Sequence, residues 1–198
     1  MKKKIIITGG LGYIGTELCK LYSGVSWHHD ITVIDNRFIS ERINQIRNWN
    51  MQFIQGDILD KELIKKHFKD ADIVHHLAGI TDVPRTKSEG SQKQDELIIK
   101  VGEQGTKNIL DVISNNCKIV FPSTHVVYEG INQVKTNIKE DEITKPILSY
   151  SSSKAINEKQ LKESGKNYII LRLGSVYGYS TDTMRIDIMP NLFSKIAS

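Results

Sequence analysis

The chain has 198 residues, of which 39% are hydrophobic and 25% are charged, and its formal net charge at pH 7 is +4. This length is enough for one domain with a sizeable core, and no apolar run approaches the length of a membrane-spanning helix, so we expect no membrane partner. The lysines and arginines form no stripe interleaved with aromatic residues, which argues against a nucleic-acid partner.

Strand-like and helix-like segments alternate along most of the sequence, which is typical of an α/β fold with a doubly wound parallel sheet. Strands are predicted near residues 4–8, 31–35, 51–54, 72–77, 117–122 and 168–173. Helices are predicted near residues 13–23, 39–47, 60–68, 91–115, 149–164 and 189–197. No linker divides these segments, so we expect a single domain over residues 1–198.

The first predicted strand leads into a glycine-rich turn. Residues 5–7 are three isoleucines, a β-branched run typical of a buried strand in a parallel sheet. The pattern T-G-x-x-G-x-x-G follows, and a segment with helical spacing begins inside it. The first amides of a helix have no internal partner and carry partial positive charge. A phosphate group therefore binds there when no side chain blocks its approach.

Each glycine of this pattern has a separate role in a dinucleotide site. Gly9 allows the chain to turn, Gly12 allows a pyrophosphate to touch the backbone, and Gly15 allows the helix to pack closely on the strand. Asp35 ends the second predicted strand, where a carboxylate accepts hydrogen bonds from both ribose hydroxyls of an adenosine. Strand, glycine turn, helix, strand and acid together predict a bound dinucleotide.

Asp35 also favours NAD over NADP, because its carboxylate would accept from the ribose 2′-hydroxyl and would repel a 2′-phosphate. Arg37, two residues further on, could swing to pair with that phosphate. We interpret Arg37 instead as a solvent-exposed loop charge, and we expect NAD as the cofactor.

A second acidic site follows the third predicted strand, at Gly56, Asp57 and Ile58. A short acid just past a strand end accepts a hydrogen bond from the adenine amino group, and an apolar neighbour lies on the ring. Asp57 could alternatively cap the next helix, but Asp60 is better placed to be the N-cap. We therefore expect Asp57 and Ile58 to contact the adenine.

The fourth predicted strand ends at Leu77, Ala78 and Gly79, where two small residues allow a cofactor to lie across the strand end. His75 and His76, just before them, point to opposite faces of the sheet, so they cannot bind the same metal ion. We expect both histidines to be structural.

The remaining histidines and the cysteines indicate no metal site and no disulfide. Residues 28–30, His-His-Asp, lack further ligands at zinc spacing and are interpreted as a polar loop. Cys19 and Cys117 belong to no paired motif, which favours a reduced, cytoplasmic protein.

Two later stretches carry the candidate chemistry. The fifth predicted strand places the hydroxyls of Ser123 and Thr124 at its C-terminal end, where ligands bind in open α/β sheets. Tyr150 and Lys154 are four residues apart and therefore share one face of a helix. A free phenol has a pKa of roughly 10, and a nearby ammonium group lowers that pKa by stabilising the phenolate. Tyr150 is thus the candidate base, with Thr124 holding the substrate oxygen.

These residues, in this order, resemble the extended short-chain dehydrogenase/reductase family, in its nucleotide-sugar epimerase and dehydratase branch. The matching pieces cover nearly the whole chain, at residues 8–15, 35–36, 56–58, 77–79, 105–108, 123–124, 128, 150, 154, 171–172 and 176–178. The resemblance implies a Rossmann-type NAD-binding fold and a catalytic triad of Thr124, Tyr150 and Lys154, with Lys154 also on the nicotinamide ribose. It implies the cofactor-binding residues Gly9, Gly12, Tyr13, Ile14, Gly15, Asp35, Asn36, Asp57, Ile58, Leu77, Ala78, Gly79, Ser123, Tyr150 and Lys154.

Three features depart from the pattern of that family. Gly102 replaces an asparagine that usually supports the active-site helix. The dehydratases of the family carry an aspartate–glutamate pair in S-T-D-E-V-Y-G, whereas this chain has His125 and Val126, so we do not expect 4,6-dehydration. The sequence also stops at Ser198, whereas relatives continue into a region that closes over the nucleotide-sugar.

We therefore expect an NAD-dependent nucleotide-sugar epimerase. Two alternatives stay open, namely an NAD(P)-dependent reductase or dehydrogenase of a nucleotide-sugar, and a non-catalytic NAD-binding module. The resemblance further implies a homodimer formed by the helices predicted at 91–115 and 149–164. Apolar side chains on or near the first of these helices are Ile98, Ile99, Ile109, Leu110 and Ile113. They could alternatively do no more than cover the sheet.

Residues 174–198 are expected to be the start of an incomplete substrate-binding region and to be poorly tied down. Residues 177–183 are rich in turn formers. The segment after Pro190 has helical spacing but is too short to hold a helix alone in water. Exposed Phe193 and Ile196 would then mark where the missing region belongs.

Overall fold

The computed structural model describes residues 2–81, 91–180, 185 and 188–197. Its strands are β1 (Lys4–Thr8), β2 (Asp30–Asp35), β3 (Gln52–Gln55), β4 (Ile73–His76), β5 (Lys118–Thr124) and β6 (Asn167–Leu173). Its helices are α1 (Tyr13–Ser23), α2 (Ser40–Asn48), α3 (Lys61–Phe68), α4 (Gln92–Leu110), α5 (Ser149–Glu163) and α6 (Met189–Ala197). Short 3₁₀ helices span Ser26–His28 and His125–Tyr128.

The strands form one parallel sheet in the order β3-β2-β1-β4-β5-β6. β1 pairs with both β2 and β4, so that Thr8 is aligned with Ile34 on one side and with His76 on the other. The chain builds outward from β1 to β3, then returns to β4 and builds outward in the opposite direction. This confirms the predicted doubly wound sheet, and it leaves a crevice outside the carboxyl ends of β1 and β4.

Alternating side chains of the strands supply two hydrophobic cores, one on each face of the sheet. Ile5 and Ile7 of β1 belong to the core that α1 and α2 cover, which also contains Cys19. Ile6 belongs to the opposite core, which contains Phe68 of α3 and residues of α4 and α5. The three consecutive isoleucines are therefore all buried, because both faces of β1 are covered.

The helices and strands lie close to their predicted bounds, with one larger difference at the end of α4. That helix ends at Leu110 and not near residue 115. Beyond it the chain turns, with the Val112 amide donating to the Ile109 carbonyl oxygen at 3.1 Å. The turn brings Ile113 and Cys117 into the core just ahead of β5.

The apolar residues proposed for a dimer interface are mostly used inside the monomer. Ile98, Ile109, Leu110 and Ile113 are each at most 8% exposed. The last three belong to the core beneath α4 and α5. They therefore cover the sheet, which was the alternative interpretation, and the homodimer prediction has no support from these side chains.

The two cysteines are free and are buried on opposite faces of the sheet. Burial raises the pKa of the Cys19 thiol to about 12 and that of the Cys117 thiol to about 11. Both side chains therefore stay in the protonated, poorly nucleophilic form. Within the described ranges, no helix is long and apolar enough to cross a membrane.

Candidate functional site

A cleft of about 880 Å³ opens where the strand order reverses, at the carboxyl ends of the strands. Its walls are the glycine turn after β1, the ends of β2, β4 and β5, and the start of α5. Every residue predicted for cofactor binding or catalysis lines this cleft, from Gly9 in the turn to Lys154 on α5. The topology thus brings the predicted residues to one place, while the role of each stays a prediction.

The glycine turn leaves the start of α1 open to the cleft. Gly9 has a φ of +68°, and a Cβ there would lie 2.7 Å from the Ala78 amide nitrogen. A Cβ at Gly15 would lie 2.3 Å from the Gly9 carbonyl oxygen. Gly12 is the N-cap of α1 and offers no side-chain acceptor to its first amides. Glycine at positions 9 and 15 therefore allows close backbone packing around the turn, and the cradle at the start of α1 fits the pyrophosphate of a dinucleotide.

Asp35 at the end of β2 connects the glycine turn with Arg37. The buried Asp35 accepts a hydrogen bond from Leu11 N to its Oδ2 at 3.0 Å. Arg37 donates to Oδ1 from its backbone N at 3.0 Å and from Nε at 3.1 Å, and to Oδ2 from Nη2 at 3.2 Å. Arg37 is exposed in the loop after β2, as expected, and its guanidinium also forms a two-pronged ion pair with Asp35, which was not expected.

The two acids after β3 have different hydrogen-bond partners. Asp60 caps α3, since its Oδ1 accepts from two amides of the first turn at 3.0 and 3.1 Å. Asp57 lies in the cleft wall, where its Oδ2 accepts from Asn36 Nδ2 at 3.3 Å. Ile58 beside it also lines the cleft, although it is only 5% exposed. Asp57 therefore does not cap α3 and lines the cleft, and its contact with the adenine stays a prediction.

The two histidines of β4 have structural partners on opposite sides of the strand. His76 is buried, with its Nδ1 3.1 Å from Thr8 Oγ1 and its Nε2 3.0 Å from Thr106 Oγ1. Burial, with the nearby charge of Lys154, lowers the pKa of His76 to about 3. The Nε2 of His75 instead lies 2.8 Å from a tyrosine hydroxyl of α1. In the part of the chain that the structure describes, histidine, cysteine and acidic side chains form no group of three that could hold a metal.

Tyr150 and Lys154 lie one turn apart on α5 and both line the cleft. Lys154 is buried, and its Nζ donates to the Pro122 carbonyl oxygen at 2.8 Å. The same Nζ lies 4.4 Å from the centre of the Phe121 ring and 5.8 Å from that of the Tyr150 ring. Burial lowers the pKa of Lys154 to about 8, so the side chain is still mostly cationic at neutral pH.

The Tyr150 phenol differs from the expectation drawn from its spacing to Lys154. Burial raises its pKa, and the charge that opposes this rise is that of Arg185. The cost of burying a phenolate therefore outweighs the neighbouring positive charge in the protein alone. Arg185 also lines the cleft. Sequence reasoning missed this arginine, because it belongs to no recognised pattern.

Ser123 takes part in a buried ion-pair network that the sequence did not indicate. Its Oγ donates to Glu158 Oε1 at 2.6 Å, and Arg172 donates from Nε to Oε1 at 2.9 Å and from Nη2 to Oε2 at 2.6 Å. Burial alone would raise the pKa of Glu158, but hydrogen bonds from Arg172 and Ser123 bring it below its usual value. The network fixes α5 to β5 and β6 next to Thr124. Glu158 follows Lys154 by four residues and therefore lies on the same face of α5. This spacing is the sequence signal that could have indicated that Glu158 lies near the site.

A carboxylate also holds the start of α5. Glu129 Oε1 accepts from the amides of Ile147 at 2.6 Å and Leu148 at 2.7 Å, and from the hydroxyl of Ser151. Such an acceptor stabilises a helix N-terminus, because the first amides have no partner within the helix. Tyr150 lies between these contacts, so Glu129 fixes the position of the candidate base.

Gly102 of α4 faces α5 at a close contact between the two helices. A Cβ at this position would lie 2.0 Å from Ser153 Oγ, so a larger residue requires the Ser153 side chain to move. Ser153 in turn donates to the Ile98 carbonyl oxygen at 3.4 Å. At the position of the missing asparagine, α5 therefore packs directly on α4.

Part of the C-terminal segment is anchored beside the cleft. Tyr13 at the start of α1 donates to the Gly178 carbonyl oxygen. Ser180 is buried and donates to Glu17 Oε1 at 2.7 Å. The Oδ1 of the buried Asn191 accepts from the Gly178 amide at 3.0 Å. The expectation of a poorly tied segment is wrong at these positions, because polar groups of α1 and α6 bind them.

The helix predicted near residues 189–197 is present as α6, and it leaves apolar side chains at the surface. Phe193 is 60% exposed and Ile196 is 73% exposed, as expected. The end of the turn-rich stretch, residues 181–183, lies outside the described residues. The interpretation of residues 174–198 as part of a substrate-binding region stays a prediction.

Curated relatives of the chain include both dehydratases and epimerases. It is 30% identical over 197 residues to the dTDP-D-glucose 4,6-dehydratase of Dictyostelium discoideum, across 89% of this chain and 44% of that protein. It is 30% identical over 204 residues to the CDP-paratose 2-epimerase of Salmonella typhi, across 88% of this chain and 58% of that protein. The chain thus spans about half the length of the curated relatives it matches.

Solved structures and a family model agree with these relatives. The UDP-glucuronic acid 4-epimerase of Bacillus cereus in complex with NAD superposes with a TM-score of 0.78 and 26% identity, covering 98% of this chain and 62% of that chain. The UDP-N-acetylglucosamine 4-epimerase of Methanobrevibacter ruminantium M1 superposes with a TM-score of 0.74 and 28% identity. This match covers 100% of this chain and 64% of that chain. Residues 5–198 match the family described as "NAD dependent epimerase/dehydratase family". Because that match runs from the first strand to the last helix, the chain belongs to this NAD dependent epimerase/dehydratase family, which confirms NAD as its predicted cofactor.

Proposed function

We propose that the protein is an NAD-dependent nucleotide-sugar epimerase in which Tyr150 acts as the base. The observation that carries this proposal is the position of Tyr150 and Lys154 in the same cleft as the glycine cradle and Asp35. The substrate class is supported by relatives named for UDP-glucuronic acid, UDP-N-acetylglucosamine and CDP-paratose. Two of these act at position 4 of the sugar and one at position 2, so the proposal extends to the class of nucleotide-sugars.

In this proposal, the cleft residues would hold the successive parts of NAD along the cleft walls. The cradle of Gly9, Gly12 and Gly15 would hold the pyrophosphate against the start of α1. Asp35 would accept from the adenosine ribose, and Asp57 from the adenine amino group. The buried ammonium group of Lys154 at the other end would bind the nicotinamide ribose. NAD, when bound, would supply the reversible hydride transfer that turns a sugar alcohol into a ketone and back.

Tyr150 would hold and move the proton of the reacting sugar hydroxyl. Its buried phenol has a raised pKa in the protein alone, so the phenolate needs positive charge close by. Lys154 remains mostly cationic at neutral pH and lies 5.8 Å from the ring centre. Thr124, at the end of β5, would donate to or accept from the same sugar oxygen and keep it aligned with Tyr150.

The residues after Thr124 favour epimerisation over dehydration. Elimination of water needs an acid and a base beside the reacting carbon, and the dehydratases that the chain resembles place aspartate and glutamate there. This chain has His125 and Val126 at those positions. The His125 ring contacts the end of β6, with its Nδ1 3.1 Å from the Leu173 carbonyl oxygen. Proton exchange with a single hydroxyl needs only Tyr150 and its neighbours.

The proposal is tested by incubating the protein and NAD with a panel of UDP-, CDP- and dTDP-sugars, followed by chromatographic separation of epimers. Tyr150→Phe removes the proton-carrying hydroxyl and is expected to lower turnover by about a thousandfold, within the range of general base catalysis. Tyr168→Phe is the matched control, because Tyr168 lies at the start of β6 and does not line the cleft. Full activity of Tyr150→Phe would overturn the assigned base.

The same assay separates the two alternatives. A reductase or dehydrogenase would release its product and leave a net change in the absorbance of reduced nicotinamide. An epimerase leaves no net change, because the cofactor is restored in every cycle. Tight binding of NAD with no turnover of any sugar in the panel would favour the non-catalytic module and would count against the epimerase.

A further inference from the structure

The carboxylate that should receive the adenosine ribose is already saturated with hydrogen bonds. A carboxylate offers about four acceptor positions. In Asp35, two are used by the amides of Leu11 and Arg37, and the other two by Nε and Nη2 of the Arg37 side chain. A ribose hydroxyl can therefore donate a hydrogen bond to Asp35 only if the Arg37 side chain moves away.

Arg37 is able to move, whereas Asp35 is not. The Arg37 side chain is 52% exposed, and the Asp35 side chain is 4% exposed. Arg37 Nη2 also lies over the glycine cradle, 3.8 Å from the position of a Cβ on Gly12. A displaced guanidinium thus remains next to both the pyrophosphate cradle and the ribose position.

A second arginine lines the same corner of the cleft. Arg42 of α2 donates from Nη1 to the Leu11 carbonyl oxygen at 2.6 Å. The guanidinium groups of Arg37 and Arg42 therefore both line the part of the cleft that contains Asp35. A 2′-phosphate on the ribose would meet the negative charge of Asp35 together with two positive charges, and guanidinium groups bind phosphate in a two-pronged geometry.

We propose that Arg37 sets the cofactor choice of this chain and that the cleft accepts NADP as well as NAD. With NAD, the ribose displaces Arg37 from Asp35, so the ion pair competes with the cofactor. With NADP, Arg37 leaves Asp35 and pairs with the 2′-phosphate, which offsets the repulsion from the carboxylate. NAD remains the preferred cofactor, but its affinity exceeds that of NADP by a smaller factor than it would if no arginine were paired with Asp35.

The test is calorimetric titration of the purified protein with NAD and with NADP, with no sugar present. The wild-type protein is expected to bind both cofactors, with NAD tighter by less than about tenfold. Arg37→Ala should bind NAD about two- to fivefold more tightly, because a partly exposed ion pair no longer competes. It should bind NADP at least about tenfold more weakly, because a charged hydrogen-bond pair to phosphate is lost.

Two further variants keep the test decisive. Arg37→Lys retains the charge without the two-pronged geometry, and we expect its NADP affinity to fall between those of wild type and Arg37→Ala. Arg47→Ala removes an exposed charge on α2 outside the cleft and should change neither affinity. Undetectable NADP binding to wild type, or an unchanged ratio of the two affinities in Arg37→Ala, would overturn the inference.

Because no sugar enters these titrations, their outcome is distinguishable from that of the proposed function. Loss of sugar turnover with normal cofactor titrations would remove the epimerase and leave the role of Arg37 intact. A wild-type protein that binds neither cofactor would contradict both.

Discussion

Burial is the main cause of the shifted pKa values of three ionisable side chains in or beside the cleft. Lys154, Tyr150 and His76 all lie at the carboxyl ends of the strands, where the cleft meets the core. Burial disfavours the charged form of each, so the pKa of Lys154 and His76 falls and that of Tyr150 rises. Of these three side chains, the phenol and the imidazole are therefore neutral at neutral pH, and the ammonium group keeps its charge.

His76 should make the stability of the fold fall steeply in mild acid. Its pKa is about 3 in the folded chain and 6.5 as the ordinary value, so the unfolded chain binds more protons between these limits. Stability is therefore fully present above pH 6.5 and is lost as the pH falls toward 3, by about 2 kcal/mol at pH 5. His76→Asn lacks this titration. The difference in unfolding free energy between wild type and His76→Asn should shrink by about 2 kcal/mol between pH 7 and pH 5.

Urea unfolding at the two pH values measures this difference. His28→Asn is the control, because His28 is exposed in the short 3₁₀ helix before β2. Its difference from wild type should be small at both pH values. A difference between wild type and His76→Asn that stays constant from pH 7 to pH 5 would contradict the assignment of His76 as a buried neutral group.

At the scale of elements, the position of α5 controls the site, because α5 carries both Tyr150 and Lys154. Three contacts define that position. Glu129 holds its first turn, Glu158 ties its middle to Arg172 of β6, and Ser153 packs against Gly102 of α4. Each contact joins α5 to a different element, so the helix cannot slide or rotate without breaking one of them.

The contact between Gly102 and Ser153 predicts a pair of substitutions that compensate each other. Gly102→Ala places a Cβ 2.0 Å from Ser153 Oγ and should lower the unfolding free energy by about 1–3 kcal/mol through overpacking. Ser153→Ala removes that oxygen and leaves Asn157 Oδ1 at 3.3 Å and the Ser153 Cβ at 3.4 Å. The double variant should recover the loss and gain up to about 1 kcal/mol, since alanine favours a helix more than glycine does.

A double-mutant cycle of urea unfolding gives the coupling energy of this pair. The exposed Gly24, at the end of α1, serves as the control, because a Cβ there meets nothing within 4 Å. The interpretation fails if Gly102→Ala is as stable as wild type, or if Ser153→Ala does not restore it.

Sequence patterns predicted the elements and the cleft well, because both depend on local signals. The isoleucine run, the glycine spacing and the four-residue step from Tyr150 to Lys154 are all short-range features. Contacts between distant residues were missed, because no local pattern encodes which side chain fills which position after packing. The pairing of Glu158 with Arg172 is one such contact. The ion pair of Arg37 with Asp35 was missed for a related reason, since the direction of the Arg37 side chain depends on the turn that follows β2.

At the scale of the whole molecule, the C-terminal segment joins the two halves of the sheet across the cleft. Residues 174–176 follow β6 and line the cleft, and the chain then reaches α1 at Gly178 and Ser180. The wall of the cleft therefore depends on contacts between the last and the first parts of the fold. A ligand held at the start of α1 touches both sides of this junction.

NAD should therefore slow amide hydrogen exchange in residues 174–180 and leave α6 unchanged. At a concentration one hundred times its dissociation constant, a ligand that requires the closed wall stabilises it by about 2.7 kcal/mol, so exchange there should slow by about a hundredfold. Residues 192–197 of α6, which carry the exposed Phe193 and Ile196, should exchange faster than residues 5–7 of β1 in both states. Mass-spectrometric exchange measurements resolve these peptides.

The variant Ser180→Ala, which loses the hydrogen bond to Glu17, should exchange faster over residues 174–180 without NAD and should lose part of the protection by NAD. Ser194→Ala on the exposed surface of α6 is the matched control and should behave as wild type. Equal exchange of residues 174–180 with and without NAD would show that this segment forms no part of the cofactor site. Protection of α6 equal to that of β1 in the monomer would show that α6 is a fully packed element. The prediction that residues 174–198 are loosely held would then have to be abandoned.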